Sequence, residues 1–118
     1  MGNNVVADKS FAFAVRIVKL YQYLCNEKRE YTLSKQLLRS GTSIGANTAE
    51  AQQGQSKRDF LMKMNIALKE CSETKYWIRL LSATGYLAKN EQKSIIADCI
   101  ELEKLLTSIV KTTSERTK

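Results

Sequence analysis

The sequence predicts an all-α protein, an antiparallel up-down-up-down four-helix bundle that forms a single domain over residues 1–118. Three observations support this fold class. The chain contains no proline, which favours long uninterrupted helices. Apolar residues recur at helical spacing in four segments that short connections separate. No segment alternates apolar and polar residues in the way that is typical of a strand.

The first helix is predicted from Lys9 to Arg29, with Asp8 or Ser10 as its N-cap. It carries two apolar stripes, and together they are wider than the single face that a bundle helix buries. One stripe consists of Phe11, Val15, Val18, Gln22 and Cys25, and the other of Phe13, Ile17, Leu20 and Leu24.

The second helix is predicted over residues 33–54, with Thr32 as its N-cap and a narrow apolar face. The third is predicted over residues 57–84, because Ser56 followed by Asp59 resembles a capping box and Gly85 suits a C-terminal cap. It also carries two stripes: Phe60, Met64, Ala67, Cys71 and Ile78 form one, and Met62, Ile66, Trp77 and Leu80 the other.

The fourth helix is predicted over residues 91–110, with Asn90 as its cap. Ile95, Cys99, Leu102, Leu106 and Ile109 recur at alternating spacings of four and three, which is typical of a bundle seam. The polar residues 111–118 are expected to be frayed or disordered.

The surplus stripes on the first and third helices predict a surface for a further copy of the chain. The residues expected at this oligomer interface are Phe13, Ile17, Met62, Ile66 and Trp77. The alternative is that the wide stripes belong to a thick core with irregular edges within a single chain, which requires no second copy.

The composition argues against an enzyme. The chain has no histidine, which excludes a Ser-His-Asp or Cys-His site and removes the commonest general base and metal ligand. Carboxylates such as Glu50, Glu70 and Glu73 could bind metals in a helix bundle, but di-iron bundles use Glu-x-x-His motifs. We therefore expect no catalytic residue, no metal and no cofactor.

The cysteines and the hydropathy indicate the redox environment and the cellular location of the protein. The three cysteines, Cys25, Cys71 and Cys99, lie at apolar helical positions with no zinc-like spacing, so buried reduced thiols are expected. No run approaches the roughly 18 apolar residues of a membrane span, and no signal-peptide pattern opens the chain. These features predict a cytoplasmic protein without a membrane partner.

The stretch "RSGTSIGAN", residues 39–47, places poor helix formers inside a predicted helix. The spacing of Gly41 and Gly45 does not match a phosphate-binding loop, which has four residues between its glycines and a following Lys. A ridge of small residues that admits a neighbouring helix fits better. A polar strip of Ser40, Ser43, Asn47 and Glu50 edges the ridge, with Glu70, Glu73 and Thr74 as candidate partners and Arg39 to offset the carboxylates. The alternative is a solvent-facing polar strip.

The run from Leu33 to Leu81 resembles the four-helix bundle family encoded in intervening sequences of bacterial 23S ribosomal RNA genes, and the resemblance covers roughly Phe11 to Leu106. Its most specific parts are "RSGTSIGANTAEA", "SKRDF" and "IALKECSETKYWIRLL". The resemblance implies a ring-shaped homo-oligomer, with a homopentamer as the family precedent. It also implies kinship with the accessory protein of diversity-generating retroelements, which associates with a reverse transcriptase and nucleic acid.

The net charge of +7 makes nucleic acid a candidate partner. Basic residues interleaved with tyrosine suit phosphate contact and base stacking. The candidate nucleic-acid-binding residues are Arg16, Lys19 and Tyr23 on the first helix and Lys57, Arg58, Lys69, Tyr76 and Arg79 on the third. The alternative is a pair of solvated helix faces.

Two functions are compatible with the sequence. The first is a non-enzymatic accessory protein that binds RNA or DNA through the basic faces of its oligomer. The second is a protein-interaction scaffold, for example a partner of a reverse transcriptase. The surplus apolar stripes favour the scaffold, whereas the net charge and the basic strips favour nucleic acid.

Overall fold

The computed structural model describes residues 2–116, and within this range it contains four helices and no strand: α1 (Gly2–Asn26), α2 (Leu33–Ala51), α3 (Lys57–Ala83) and α4 (Lys89–Arg116). The all-α class and the four-helix bundle are thereby confirmed. The molecule measures 47 × 21 × 20 Å, so its long axis follows the helices. None of these helices has a stretch apolar and long enough to cross a membrane.

Side-chain contacts define the order and direction of the helices. Ile17 meets Gly41 and Ser10 meets Thr48, so α1 and α2 run antiparallel. On the other side of α1, Lys9 pairs with Glu101 and Arg16 with Asp98, so α1 and α4 also run antiparallel. Over residues 2–116, each helix contacts its two neighbours and not the helix across the diagonal, and α1 and α4 are the least closely packed neighbours.

Apolar side chains from all four helices fill the core. Its fully buried members include Ile17 and Leu24 of α1, Ile44 of α2, Ile78 of α3 and Leu106 of α4. Cys71 and Cys99 are buried free thiols whose sulfurs lie 3.8 Å apart between α3 and α4. Their mutual hydrogen bond and burial raise the pKa of Cys71, which keeps this thiol protonated. Cys25, expected to be buried, is only half-buried.

The helix ends differ from the sequence-based bounds for local physical reasons. α1 begins at Gly2 rather than Lys9, because buried Val6 and Ser10 extend its core face by two turns. Consequently neither Asp8 nor Ser10 is its cap. The expectation of a frayed tail over residues 111–118 is wrong for residues 111–116, since α4 continues to Arg116. The last two residues lie outside the described range.

The connections use two of the four predicted caps. Asn90 is not the cap of α4, because this helix begins one residue earlier, at Lys89. The Ser56 hydroxyl accepts from the Asp59 N–H at 3.1 Å, and Gly85 has a φ of +88°, as predicted for these two positions. Thr32, by contrast, makes no side-chain cap bond. Glu30 caps α2 instead: its carboxylate accepts from the N–H groups of Thr32, Leu33 and Ser34 at 3.3, 3.1 and 2.7 Å.

The glycine ridge of the "RSGTSIGAN" stretch faces α1. A Cβ at Gly41 would lie 2.8 Å from both γ carbons of Ile17, and one at Gly45 would lie 3.3 Å from the carbonyl oxygen of Ser10. These two positions therefore set the close approach of α1 and α2. A buried hydrogen bond of 2.9 Å between the Ser10 and Thr48 hydroxyls lies beside them.

The polar strip of the same stretch faces α3 only in part. Ser40 is buried and accepts from the Thr74 hydroxyl at 2.9 Å, and Arg39 pairs with Glu70 and Glu73. Glu50 pairs with Lys63 rather than with a predicted partner. Ser43 and Asn47 donate to carbonyl groups of α2 itself, so they take no part in a network between helices.

Candidate nucleic-acid interface

The sides of α3 and α4 that face away from α1 and α2 form a basic face. Because side chains at helical spacing share one side, the exposed cations of α3 and α4 project together. We define the basic face as Arg58, Lys69, Arg79, Lys89, Lys93, Lys104 and Lys111, all of which are exposed. The ion pairs among residues 2–116 use other cations: Lys9, Arg16, Arg39, Lys63 and Lys75. None of these seven cations forms an ion pair among the described residues, although Lys69 lies near enough to Glu73 to help lower the pKa of that carboxylate.

A cleft of about 490 Å³ lies at one end of this face, between the C-terminal part of α3 and the start of α4. Three cations line it: Arg79 from α3, and Lys89 and Lys93 from α4. Tyr76 forms part of one wall, and this residue is 55% exposed. The remaining lining residues, Leu80, Ser82, Ala83 and Gln92, include no carboxylate. We call this the Tyr76 cleft.

A chain of contacts from α2 fixes the position of Tyr76. The Tyr76 ring packs edge-on against Trp77, with centroids 5.2 Å apart and planes at 74°. The indole N–H of Trp77 donates to Glu73 at 3.0 Å, and Arg39 of α2 pairs with the same carboxylate. The hydrogen bond from Trp77, together with Arg39, lowers the pKa of Glu73, so the carboxylate stays charged.

The predicted cations of α3 do not converge on one point. Lys57 and Arg58 are exposed at the start of the helix, Lys69 lies midway, and Arg79 lies near its end in the Tyr76 cleft. At about 1.5 Å per residue, roughly 30 Å separates Arg58 from Arg79. These residues form an extended track, and only Tyr76 and Arg79 share a cleft.

The predicted residues of α1 lie in a different place. Arg16, Lys19 and Tyr23 line a separate cleft of about 390 Å³ between α1 and α4, together with Glu91. Arg16 donates to Asp98 at 2.7 Å and to Ser94 at 2.6 Å. Because an acid already neutralises Arg16 and another lines the same cleft, this surface attracts anions less than the basic face does.

The structure corrects the predicted oligomer interface on α1. Phe13 and Ile17 are 3% and 0% exposed, so they belong to the core of the chain and cannot meet a second copy in this fold. Met62 is exposed, whereas Ile66 and Trp77 are half-buried.

The apolar stripe of α1 that remains on the surface is the one that contains Phe11. Phe11, Val15 and Val18 are 70, 40 and 37% exposed.

Sequence reasoning missed two cations of the Tyr76 cleft, Lys89 and Lys93. Their spacing of four on one helix face was a visible signal. Their convergence with Arg79 depends on the register between α3 and α4. That register is seen in the contact of Cys71 with Cys99, whose sulfurs lie 3.8 Å apart.

Comparison with known proteins gives one family match and a close structural relative. The model of the 23S rRNA-intervening sequence protein family matches residues 2–108. A crystal structure from Bacteroides thetaiotaomicron VPI-5482, described as a protein with unknown function from the S23 ribosomal protein family, is 58% identical with a TM-score of 0.92. The match covers 94% of this chain and 99% of that one. No curated protein matches the chain.

Proposed function

Since the chain belongs to the 23S rRNA-intervening sequence protein family, we propose that it is a non-enzymatic accessory protein that binds RNA or DNA. The observation that carries the proposal is the basic face, whose seven exposed cations form no ion pair among the described residues. Like charges gathered on one surface destabilise a fold, and a polyanion relieves that repulsion. The absence of histidine supports the non-enzymatic part.

The basic face suits backbone recognition more than base readout. Its cations follow two antiparallel helices along the long axis of the bundle. Phosphate contacts of this kind position a protein without reading sequence. The proposed activity is therefore tolerant of sequence and sensitive to salt.

Titration of labelled RNA and duplex DNA at two salt concentrations tests this proposal. We expect affinity to fall with salt, with a logarithmic slope of about −0.7 for single strands and about −0.9 for duplex per phosphate neutralised. An unrelated protein of equal net charge is the reference. Binding no tighter than that reference would overturn the proposal.

A matched pair of variants locates the site. Lys89→Glu with Lys93→Glu reverses charge on the basic face, whereas Lys28→Glu with Lys35→Glu makes the same change in net charge near the α1–α2 connection. All four lysines are exposed and make no ion pair within the part of the chain that the structure describes. We expect at least a tenfold loss of affinity for the first variant and a much smaller loss for the second. Equal losses would mean that net charge alone governs binding.

Self-association into a ring is the second part of the proposal, with the pentamer as the number that the family resemblance implies. The exposed apolar strip of Phe11, Val15 and Val18 supports it, because contiguous apolar surface marks interaction sites. Several copies would multiply a modest affinity for a polyanion through avidity. Sedimentation of wild type, Phe11→Glu and Met62→Glu tests which stripe is used, and a stable wild-type monomer at micromolar concentration would contradict self-association.

The scaffold function is the second candidate, and the same Phe11 strip favours it. In that case the strip would contact a different protein, such as a reverse transcriptase, rather than another copy. Affinity purification from the native host with wild type and Phe11→Glu separates the two outcomes. Recovery of this chain alone would contradict the scaffold.

A further inference from the structure

We propose that the Tyr76 cleft binds single-stranded nucleic acid, with one base stacked on the Tyr76 ring and the adjoining phosphates at Arg79, Lys89 and Lys93. The inference rests on the proposed function and narrows its ligand to unpaired nucleotides. The basic face as a whole would attract any polyanion, whereas this cleft adds an aromatic surface to the charge.

The composition of the cleft selects its ligand. Three cations and no acid among the lining residues exclude a cationic ligand and favour one with several negative charges. The exposed aromatic ring, flanked by the apolar side chains of Leu80 and Ala83, favours a flat group beside those charges. A nucleotide in a flexible strand combines a flat base with a phosphate on each side.

The size and shape of the cleft fit an unpaired nucleotide. A volume of about 490 Å³ is within the range of roughly 300–1,000 Å³ that small-ligand sites occupy. In a duplex the bases are stacked on one another and their faces are not available to a protein ring. Only a strand with an unstacked base can therefore use both the ring and the cations.

The Tyr76 ring is positioned before any ligand arrives. Trp77 packs against it in a T-shaped arrangement, the Trp77 indole donates a hydrogen bond to Glu73, and Glu73 pairs with Arg39 of the neighbouring helix. A ring held in this way loses less conformational freedom on binding than a free side chain would. The contact between Arg39 of α2 and Glu73 of α3 therefore also helps to orient Tyr76, which lines the cleft between α3 and α4.

The experiment compares four proteins on three ligands by fluorescence anisotropy at one low salt concentration. The ligands are one unstructured sequence as single-stranded RNA, the same sequence as single-stranded DNA, and its DNA duplex. The proteins are wild type, Tyr76→Ala, Tyr76→Phe and Tyr31→Ala. Tyr31 is a matched control because its 51% exposure is close to that of Tyr76 and it lies outside the cleft.

We expect Tyr76→Ala to weaken binding of the single strand about tenfold, since base stacking on an aromatic ring is worth roughly 1–3 kcal/mol. Duplex binding should be unchanged in the same variant. Tyr76→Phe retains the stacking surface and should bind like wild type, as should Tyr31→Ala. The RNA and DNA arms show which kind of strand is preferred.

Two outcomes would overturn the inference. One is an equal effect of Tyr76→Ala on single strand and duplex, and the other is no effect on either. In both cases wild-type binding above the equal-charge reference would leave the broader proposed function standing. If wild type binds no ligand above that reference, the proposed function and the inference fail together. Thermal unfolding of Tyr76→Ala checks that the exposed substitution leaves the fold intact.

Discussion

The helix α1 packs against its two neighbours in opposite ways. Against α2 it is drawn close by Gly41 and Gly45 and by a buried hydroxyl pair. Against α4 the contact is looser, and it is bridged by exposed ion pairs over an open cleft. The α1–α2 side therefore depends on shape and buried hydrogen bonds, whereas the α1–α4 side depends on charges that water screens.

This contrast bears on where function lies. The most recognisable stretch of the sequence, residues 39–47, forms the α1–α2 contact, so it determines how these two helices pack. On the α1–α4 side, Lys9 and Arg16 are engaged in ion pairs within the chain. The basic face of α3 and α4 gathers seven exposed cations that form no ion pair among the described residues, and for that reason the functional proposals are placed there.

The strongest test of the contrast is Gly41→Ala, which should destabilise the fold. The new Cβ would lie 2.8 Å from two carbons of fully buried Ile17. Overpacking of this kind costs about 1–3 kcal/mol, and it competes with the roughly 1 kcal/mol by which alanine favours a helix over glycine. We expect a net loss of up to about 2 kcal/mol in the free energy of unfolding, measured by chemical denaturation.

Gly45→Ala is the control for this prediction. Its Cβ would lie 3.3 Å from a single carbonyl oxygen, so the clash is smaller and the helix propensity offsets more of it. A stability gain for Gly41→Ala larger than that for Gly45→Ala would show that α1 and α2 can separate freely. The distinction between the two sides of α1 would then be lost.

The next test removes a hydroxyl from the α1–α2 side. Thr48→Val deletes the partner of the Ser10 hydroxyl at the same volume, and both residues are fully buried. We expect a loss of about 1 kcal/mol in the free energy of unfolding, the usual net value of a buried hydrogen bond. Thr42→Val is the control, since its hydroxyl bonds only carbonyls of its own helix. Equal losses in both variants would contradict a role for the contact between helices.

The sequence predicted the helices of both sides well, but not which stripe of α1 is buried. The stripes of Phe11 and Phe13 have the same periodicity, so the pattern cannot show which of them is buried. The packing of α2 determines this, because its Gly41 lies against Ile17, a residue of the Phe13 stripe. In the same way Thr32 had the right position for a cap, whereas the bonds go to Glu30 two residues earlier.

The site was predictable to the extent that it lies on one helix. Tyr76 and Arg79 share a face of α3 by helical spacing alone, and the structure exposes both. Lys89 and Lys93 come from another helix, and only the register between α3 and α4 brings them to the same cleft. The residue types indicate a site for an anion, whereas the packing of α3 against α4 brings its three cations into one cleft.

A third test uses pH on the connection between α1 and α2. Burial opposes ionisation of Glu30, but hydrogen bonds from the backbone of Ser34, Leu33 and Thr32 outweigh it, so the pKa of Glu30 is lowered. A depressed folded-state pKa gives stability that is present above the unfolded value of about 4.3 and lost as pH falls through the folded value.

Glu30→Gln should therefore cost about 1 kcal/mol at neutral pH, the usual value of a helix cap, and the cost should shrink in acid below the folded pKa. Urea unfolding of wild type and variant across the acidic range measures this. Glu27→Gln changes an exposed neighbour that accepts none of these bonds and serves as the control. A cost that is independent of pH would mean that the charge of Glu30 does not matter.

The smallest effect is expected on the other side of α1, at the ion pair of Arg16 and Asp98. Their side chains are 37% and 52% exposed, and exposed pairs contribute about 0.2–1 kcal/mol. A double-mutant cycle of Arg16→Ala and Asp98→Ala should give a coupling energy in that range at low salt. At about 1 M salt the Debye length is roughly 3 Å, so the coupling energy should fall by about half or more. Ser10→Ala with Thr48→Val is the reference cycle, because a buried neutral hydrogen bond should keep its coupling in salt. If the Arg16–Asp98 coupling survived high salt as well, the α1–α4 side would be as tightly built as the α1–α2 side, and the cations of α1 would be structural rather than screened surface charges.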